Sequence, residues 1–319
     1  TGDALLGMIN VPRDYADFEV RSTAGPENTI LDAQGQGKVM SVTGGSSGTS
    51  PDFEYAGITI NGFTLTGGRA EADGPNPVEG WTGGGLNLHL TDTVVRNCII
   101  TGNEATEGGG LWVGGQGDAL IEDCLIYGNK AYLGGGVYLV NSEPRITMRR
   151  CEIRDNQAAA AGGGIFAANV TMTLEKLLVV DNWSSDKGGG ISVTQLNPDC
   201  EVIGCTVAGN EGNLGSAFRI HDGSTLRVST TLVAYNKGGG PFSIVVNSVL
   251  GMACSLVYGN DGGNFPAGYT DLGGNLEQSP GVCDRVNYYL QFDSVCQPLY
   301  HPQGAICDLI GARGVGCGF

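Results

Sequence analysis

Two short signals recur along this chain at a nearly constant interval, and that interval constrains the fold more than any other feature. The first is a run of three glycines at Gly83–Gly85, Gly108–Gly110, Gly134–Gly136, Gly162–Gly164, Gly188–Gly190 and Gly238–Gly240, with Gly215-Ser216-Ala217 as a degenerate member. The second is an apolar stretch ending in asparagine, at Asn103, Asn129, Asn156, Asn182, Asn210, Asn236 and Asn260. Successive asparagines lie 24 to 28 residues apart, most often 26. Self-similarity at a fixed period of this size means a solenoid, in which each unit buries its apolar face only against its neighbours.

The units are built of strands. After each triplet alternate positions are apolar, as in Leu111/Val113, Val137/Leu139, Ile165/Ala167, Ile191/Val193 and Phe218/Ile220. Alternation returns before each asparagine (Ile121, Cys124, Ile126; Met148, Cys151, Ile153), with a one-residue adjustment that implies a bend. This is the two-residue period of a strand, and no stretch carries the 3.6-residue period of a helix. Each coil of about 26 residues therefore holds at least two strands, stacked about 4.8 Å from their equivalents in the next coil. Glycine permits the positive φ of a tight corner and close backbone approach, and the asparagines are placed to stack as an amide ladder in another corner. Cys98, Cys124, Cys151 and, later, Cys205 share one inward register, where small apolar side chains fill the core.

The regular pattern covers seven coils, with irregular ones ahead of them. "FEVRSTAGPENTILDAQGQGKVMSV" reads as a coil lacking its triplet, and "ITINGFTLTGG" as another with Gly68 in the asparagine's place. Between that coil and the first triplet lies a Pro-, Gly- and acid-rich insertion, residues 69–83, expected to protrude. Beyond about Asp261 the repeat dissolves. The chain thus divides into a β-helix over residues 1–260 and a C-terminal cap over residues 261–319, expected to close the open end. Cys283, Cys296, Cys307 and Cys317 crowd into that cap, which points to stapling disulfides and an oxidising compartment.

The 319 residues carry a net charge of −16. An acidic surface makes nucleic acid an unsuitable partner, because phosphate recognition needs a basic one. No run of 18 apolar residues exists to span a membrane, and Thr1 opens no leader, as expected of a mature or trimmed product. No Cys/His cluster has zinc-ligand spacing. No motif demands a cofactor, although the acidic balance leaves room for Ca2+.

With the repeat established, "GGGLWV…IEDCLIYGNKAYLGGGVYL" resembles bacterial secreted right-handed parallel β-helix proteins of the pectate-lyase-like superfamily. The glycine and asparagine pairing is also similar to the repeats of chlamydial polymorphic outer-membrane adhesins. The resemblance spans nearly the whole chain and implies the fold class: all-β, a single-stranded right-handed parallel β-helix with a C-terminal cap. It does not choose an activity, since such folds serve lyases, hydrolases, epimerases and adhesins alike.

Function in a solenoid resides in outward side chains and in loops that break the outline. Three columns stand out. Asn87, Trp112, Tyr138, Phe166, Ser192 and Arg219 follow the glycine corner on one outward register, and its aromatics suit stacking on sugar rings. The insertion carrying Glu79 and Trp81 leads into the first of these strands. Trp81, Asn87, Trp112, Tyr138, Phe166 and Glu79 are therefore the expected substrate-binding residues, unless the aromatics pack beneath the insertion. The second column alternates in charge (Arg96, Glu122, Arg149, Glu175) beside Asp123, Arg150 and Lys176, as cross-strand pairing favours. Its coil with Arg149, Glu152 and Arg154 is the alternative locus for catalysis, because uronate chemistry needs a base and a cation. His89 completes the catalytic candidates; His221 shares its column but lies five coils away, roughly 24 Å. No zinc-protease motif occurs, and no metal site is expected.

The reading that follows is an extracellular or cell-surface protein that binds a polysaccharide or cell-surface glycan, with lyase- or hydrolase-type cleavage open as an added activity. The competing reading is a non-catalytic adhesin or envelope module. The oligomeric state stays open.

Overall fold

The computed structural model describes residues 9–10, 18–43, 57–70, 81–89, 92–143, 145–245, 247–284, 287–291, 293–298, 301–302, 307–314 and 316. These residues form a parallel β-helix whose central coils carry four strands each, two more than the minimum inferred above. Sheet I holds the strands that follow the glycine corner, including Leu86–His89, Leu111–Gln116, Val137–Glu143, Ile165–Ala168, Ile191–Thr194 and Phe218–His221. Sheet II includes Thr93–Arg96, Ala119–Glu122, Arg145–Arg149 and Thr171–Glu175. Sheet III includes Ile99–Thr101, Leu125–Tyr127, Glu152–Arg154 and Leu178–Val180, and sheet IV Glu104–Glu107, Lys130–Leu133, Gln157–Ala161 and Trp183–Ser184. Every strand pair in the four sheets is parallel, and equivalent residues stack from coil to coil, as in Leu111↔Val137↔Ile165↔Ile191↔Phe218, with register shifts at Gly114/Gln116 and Ala131/Leu133.

Three of the four corners turn on a residue in the left-handed conformation. Between sheets II and III these are Asn97, Asp123, Arg150, Lys176 and Gly204, with φ between 52° and 61°. This is the bend that the one-residue adjustment in the apolar pattern required. Between sheets III and IV they are Gly102, Gly128, Asp155, Asp181 and Gly209, each one residue before a ladder asparagine. The third corner is the glycine triplet, where each glycine answers a different need. Gly108 takes φ 65°. A Cβ on Gly109 would sit 2.3 Å from the Lys130 carbonyl oxygen, and one on Gly110 2.7 Å from that of Gly136. The next coil's backbone leaves no room for a side chain. The fourth connection, from sheet I to sheet II, varies in length, and so does the passage from the ladder asparagine to sheet I, which takes eight residues from Asn103 to Leu111, nine from Asn156 to Ile165 and six from Asn236 to Phe242.

The asparagine ladder is continuous. The Asn129 backbone N–H and Nδ2 both donate to Asn156 Oδ1 at 3.0 Å, and Nδ2 also donates to the Ile100 carbonyl at 2.9 Å. The same bonds run from Asn103 to Asn260, and Gly68 N–H begins the series on Asn103 Oδ1. Asn129 and Asn156 are wholly buried. Buried amides are tolerable here because nearly every donor and acceptor finds a partner in the coil above or below.

Inside the coils one continuous apolar core runs along the axis, with Leu, Ile and Val stacked on their equivalents. Cys98, Cys124, Cys151 and Cys205 belong to it as buried free thiols. The N-terminal coils join the same sheets through Phe18–Arg21, Ile30–Asp32, Met40–Thr43, Ile58–Asn61 and Thr64–Thr66. Arg69–Ala70 is already a strand of sheet IV and Thr82 bridges Glu107, so both ends of the insertion are part of the coil. Residues 71–80, Glu79 among them, lie outside the described residues.

The C-terminal region departs from expectation. Its beginning, as far as Leu276, sits at the end of the solenoid: Phe265 and Tyr269 stack on each other and pack against the core, Thr270–Asp271 pairs with Gly251 and Met252 of sheet II, and Leu276 bridges Leu256 of sheet III. The rest lies on the flank of the solenoid. Tyr288 covers the outer face of sheet III at Leu178, Val180 and Ala208, and Leu290, Cys296 and Ile310 cover it at Leu232, Ala234 and Leu256. The final segment runs back along that flank: Gly311 N–H donates to the Thr230 carbonyl, Ala312 N–H to Thr206 Oγ1, and Arg313 pairs with Glu152 at 3.0 Å. The staple is also different. Cys307 bonds Cys254 of a solenoid coil rather than a cysteine of the cap, Cys283 is disulfide-bonded, and Cys296 is a buried free thiol.

Candidate functional site

Sheets IV and I meet at the glycine corner, and their outward side chains pack against each other along the outside of the solenoid, forming a notch lined by both sheets. One wall carries the first outward residue of each sheet I strand: Asn87, Trp112, Tyr138, Phe166, Ser192 and Arg219. The other carries the last residues of sheet IV and its corner: Thr82, Glu107, Leu133, Ala161, Lys187 and Leu214. The structure thus gathers His89, Asn87, Trp112, Tyr138 and Phe166 on one face.

The notch has three sections. At its N-terminal end Asn87 Nδ2 donates to Thr82 Oγ1 at 2.6 Å, Lys38 Nζ donates to the same hydroxyl at 3.4 Å, and His89 lies 5.8 Å from the Trp112 ring. The middle is apolar. Tyr138 and Phe166 stack at 5.2 Å and bury against Ala161, with Trp112, Leu133, Val140 and Ala168 around them. These two rings are only 7% and 6% exposed, so they do not form the open stacking stripe their outward register suggested. The reason is the corner's concavity, which brings sheet IV side chains over sheet I. Trp112 lies along its own strand, over Gly114, where a Cβ would approach Cη2 to 2.4 Å.

Glu107 sits in this middle section and escaped the sequence reading because it precedes a glycine triplet like any polar loop residue. Burial raises its carboxyl above the ordinary range, with the Trp112 indole pulling the other way. Burial and the Glu107 charge together push the Tyr138 hydroxyl up to about 12.

The C-terminal section is polar. His221 Nδ1 lies 2.8 Å from Asp222 Oδ2, which also accepts from Thr194 Oγ1 at 2.9 Å. A carboxylate can only accept, so Nδ1 carries the proton and Nε2 presents its lone pair. Burial lowers the imidazole's pKa, Arg219 and Lys187 add to the effect, and the Asp222 contact opposes it. Ser192, fully buried, stands between Phe166 and Arg219 in its column. Its Oγ, Arg219 Nε and His221 Nε2 are shut off from solvent without a hydrogen-bond partner among the described residues. Arg219 donates only to Ser243 Oγ and has no carboxylate partner among the described residues. Orphaned polar atoms are few in a native fold. Three of the nine among the described residues fall in two adjacent strands.

The charged column lies elsewhere. Arg149 is bound to Glu122 through Nε at 2.9 Å, Arg150 bridges Glu122 and Asp123, and Arg154 pairs with Glu152, which also holds Arg313. Arg149 belongs to sheet II, Glu152 and Arg154 to sheet III, and all are committed to ion pairs: Arg149 with the neighbouring coil, Glu152 with the flank segment, and Arg154 with Glu152 and Asp155 of its own coil. A cleft of about 330 Å³ remains between Asp123, Arg150, Glu152, Lys176 and Arg313. Trp81 is 48% exposed on the outer side of sheet IV rather than in the notch. Among the described residues no three His, Cys, Asp or Glu gather as a metal site, and no helix is long and apolar enough to cross a membrane.

Residues 27–263 match the family model for the right-handed β-helix region. Neither the curated proteins nor the solved structures offer a match to the chain.

Proposed function

The chain belongs to the right-handed β-helix family, and on that frame we propose that it is an extracellular carbohydrate-binding protein whose ligand enters the notch at the glycine corner. One observation carries this reading: the unsatisfied set of Ser192 Oγ, Arg219 Nε and His221 Nε2 beside an aromatic wall. A guanidinium donor, an imidazole acceptor and a hydroxyl that does both complement a sugar, which presents hydroxyls, ring oxygen and, in acidic sugars, a carboxylate. The Trp112 ring supplies the apolar surface against which a sugar face packs. The Cys254–Cys307 disulfide supports an oxidising, extracellular setting. Should the protein also cleave its ligand, the neutral, Asp222-oriented imidazole of His221 is better poised as a base than Arg149, whose guanidinium is held by Glu122.

The second reading, a non-catalytic adhesin or envelope module resembling the bacterial surface repeats, is favoured by the ion-paired state of Arg149, Glu152 and Arg154. One experiment separates the two. Calorimetric titration with neutral and uronic-acid oligosaccharides, followed for unsaturated products near 235 nm and for reducing ends, should show binding that Arg219→Gln or Ser192→Ala weakens by about 1–2 kcal/mol. Absence of binding across the panel overturns the carbohydrate reading. Binding without product, unaffected by His221→Ala, assigns a purely adhesive role.

A further inference from the structure

The outer face of sheet IV presents a second feature, independent of the notch. Trp81, Tyr132 and Trp183 are 48%, 57% and 40% exposed, among the largest apolar side chains open to solvent. Their positions are set by strand register. Trp81 lies opposite Thr106, since the Thr106 and Glu107 N–H groups both donate to its carbonyl and Thr82 bridges Glu107. Glu104 pairs Lys130 and Glu107 pairs Leu133, so Thr106 stands beside Tyr132. Trp183 pairs Gln157, which pairs Lys130. The three aromatics thus recur every second coil on one face, with Trp183 displaced along the strand by two residues from Tyr132.

Two coils are about 10 Å, and a two-residue offset lengthens the second step to about 12 Å. Each step is close to the length of one disaccharide of an extended β-1,4-linked chain, in which every second ring shows the same face. The side chains between the aromatics are short, as at Thr106, Ala159 and Ser185, and among the described residues the three rings stay open to solvent. Charges along the face alternate: Arg69↔Glu104↔Lys130 and then Glu211↔Lys237. A field of alternating sign favours neither a polyanion nor a polycation, and leaves stacking and amide or hydroxyl contacts, such as those of Gln157, to hold the ligand.

We propose that this face is a binding platform for a neutral β-1,4-linked hexose polymer lying along the solenoid axis, with Trp81, Tyr132 and Trp183 stacking on successive disaccharides, that is, on every second ring. The proposal rests on the carbohydrate-binding reading but uses a different face and a different ligand from the notch. Three exposed rings on a flat sheet suit an extended chain or a polymer surface, whereas a coiled α-1,4 glucan cannot lie across all three.

The test is depletion binding of the intact chain to microcrystalline cellulose, to chitin and to starch granules, with titration of cellohexaose in parallel. Tyr132→Ala and Trp183→Ala alter exposed side chains, and unchanged thermal melting verifies their fold. The expected result is retention on cellulose or chitin, weak retention on starch, and at least tenfold weaker binding for the double variant, with Arg219→Gln without effect. Which of cellulose and chitin binds more tightly identifies the hexose as glucose or N-acetylglucosamine. Binding to starch as tight as to cellulose, or binding unchanged in the double variant, overturns the platform. So does sedimentation showing a dimer that the double variant converts to monomer, since the face would then join copies of this chain. Loss of the platform with oligosaccharide binding at Arg219 intact leaves the notch standing, and failure at both sites removes the carbohydrate reading as well.

Discussion

At the scale of single residues, the most informative side chains are those held away from their ordinary state. Glu107 is half-buried at the notch, and burial raises its folded-state pKa above the unfolded value of about 4.3. A raised carboxyl contributes stability that is fully present below the unfolded pKa and is lost as pH rises through the folded one. Glu107→Gln removes that loss. The variant should therefore match the parent in melting temperature near pH 4 and exceed it increasingly toward pH 7, with solvent screening keeping the gain under about 1 kcal/mol. Melting scans across pH 4–8 check this, and a gap that shrinks with rising pH contradicts the assignment. Nothing in the linear sequence marks Glu107, because its environment is made by Trp112 and Tyr138 of other strands. The ladder asparagines, by contrast, were legible from spacing alone. Each is bonded to its own equivalent one period away, so the repeat itself encodes the contact.

At the scale of elements, the coil is shaped by three sharp corners and one variable loop. The corners differ in what they tolerate. A left-handed bend accepts Asn, Asp and even Arg150 or Lys176 at a cost of about 1–2 kcal/mol each, while the middle glycine of a triplet is enclosed by the next coil. Gly109→Ala should therefore destabilise by about 3 kcal/mol, as overpacking against backbone does. Gly128→Ala, at φ 65° with no atom of another residue nearer than 3.6 Å to the new Cβ, should cost only about 1–2 kcal/mol. Urea unfolding followed by circular dichroism, with hydrogen exchange to show loss of protection in the coils flanking Gly109, tests the ordering. The triplets were readable as corners, but the division of each coil into four strands was not, because the apolar alternation runs through the left-handed bends with only a one-residue slip. Sheet III carried a further signal. Its outward residues are Glu152 and Arg154 in one coil but Leu178 and Val180 in the next, and Leu232 and Ala234 beyond that, which is the signature of a face covered by something else.

At the scale of the whole molecule, that covering is the C-terminal region. It closes the end of the solenoid with Phe265 and Tyr269 and with short extensions of sheets II and III as far as Leu276, then runs along the flank, so it protects an apolar sheet face as well as an open end. The Cys254–Cys307 bond ties it to the last coils across 53 residues, a loop for which chain entropy alone predicts about 4 kcal/mol. Contacts in a solenoid are local. Cys254→Ser should therefore raise hydrogen exchange in residues 280–316 and dye binding to the bared sheet III, while leaving exchange before about residue 150 unchanged. Uniform destabilisation of all coils would refute this picture.

What the sequence determined by itself was everything that repeats: the parallel solenoid, its coil length, the glycine corners, the asparagine ladder and the inward cysteines. Those features pair each residue with its own equivalent one coil away, so periodicity is already contact information. What only the tertiary structure decided were the contacts between unlike positions. The concave corner buries Tyr138 and Phe166, the His221–Asp222 pair sits beside Ser192 and Arg219, Arg149 is locked to Glu122, and Trp81, Tyr132 and Trp183 share one open face. No period relates these residues. Their meeting depends on the angles between sheets and on the path of the C-terminal segment, which arise from packing and leave no mark in the spacing of the chain.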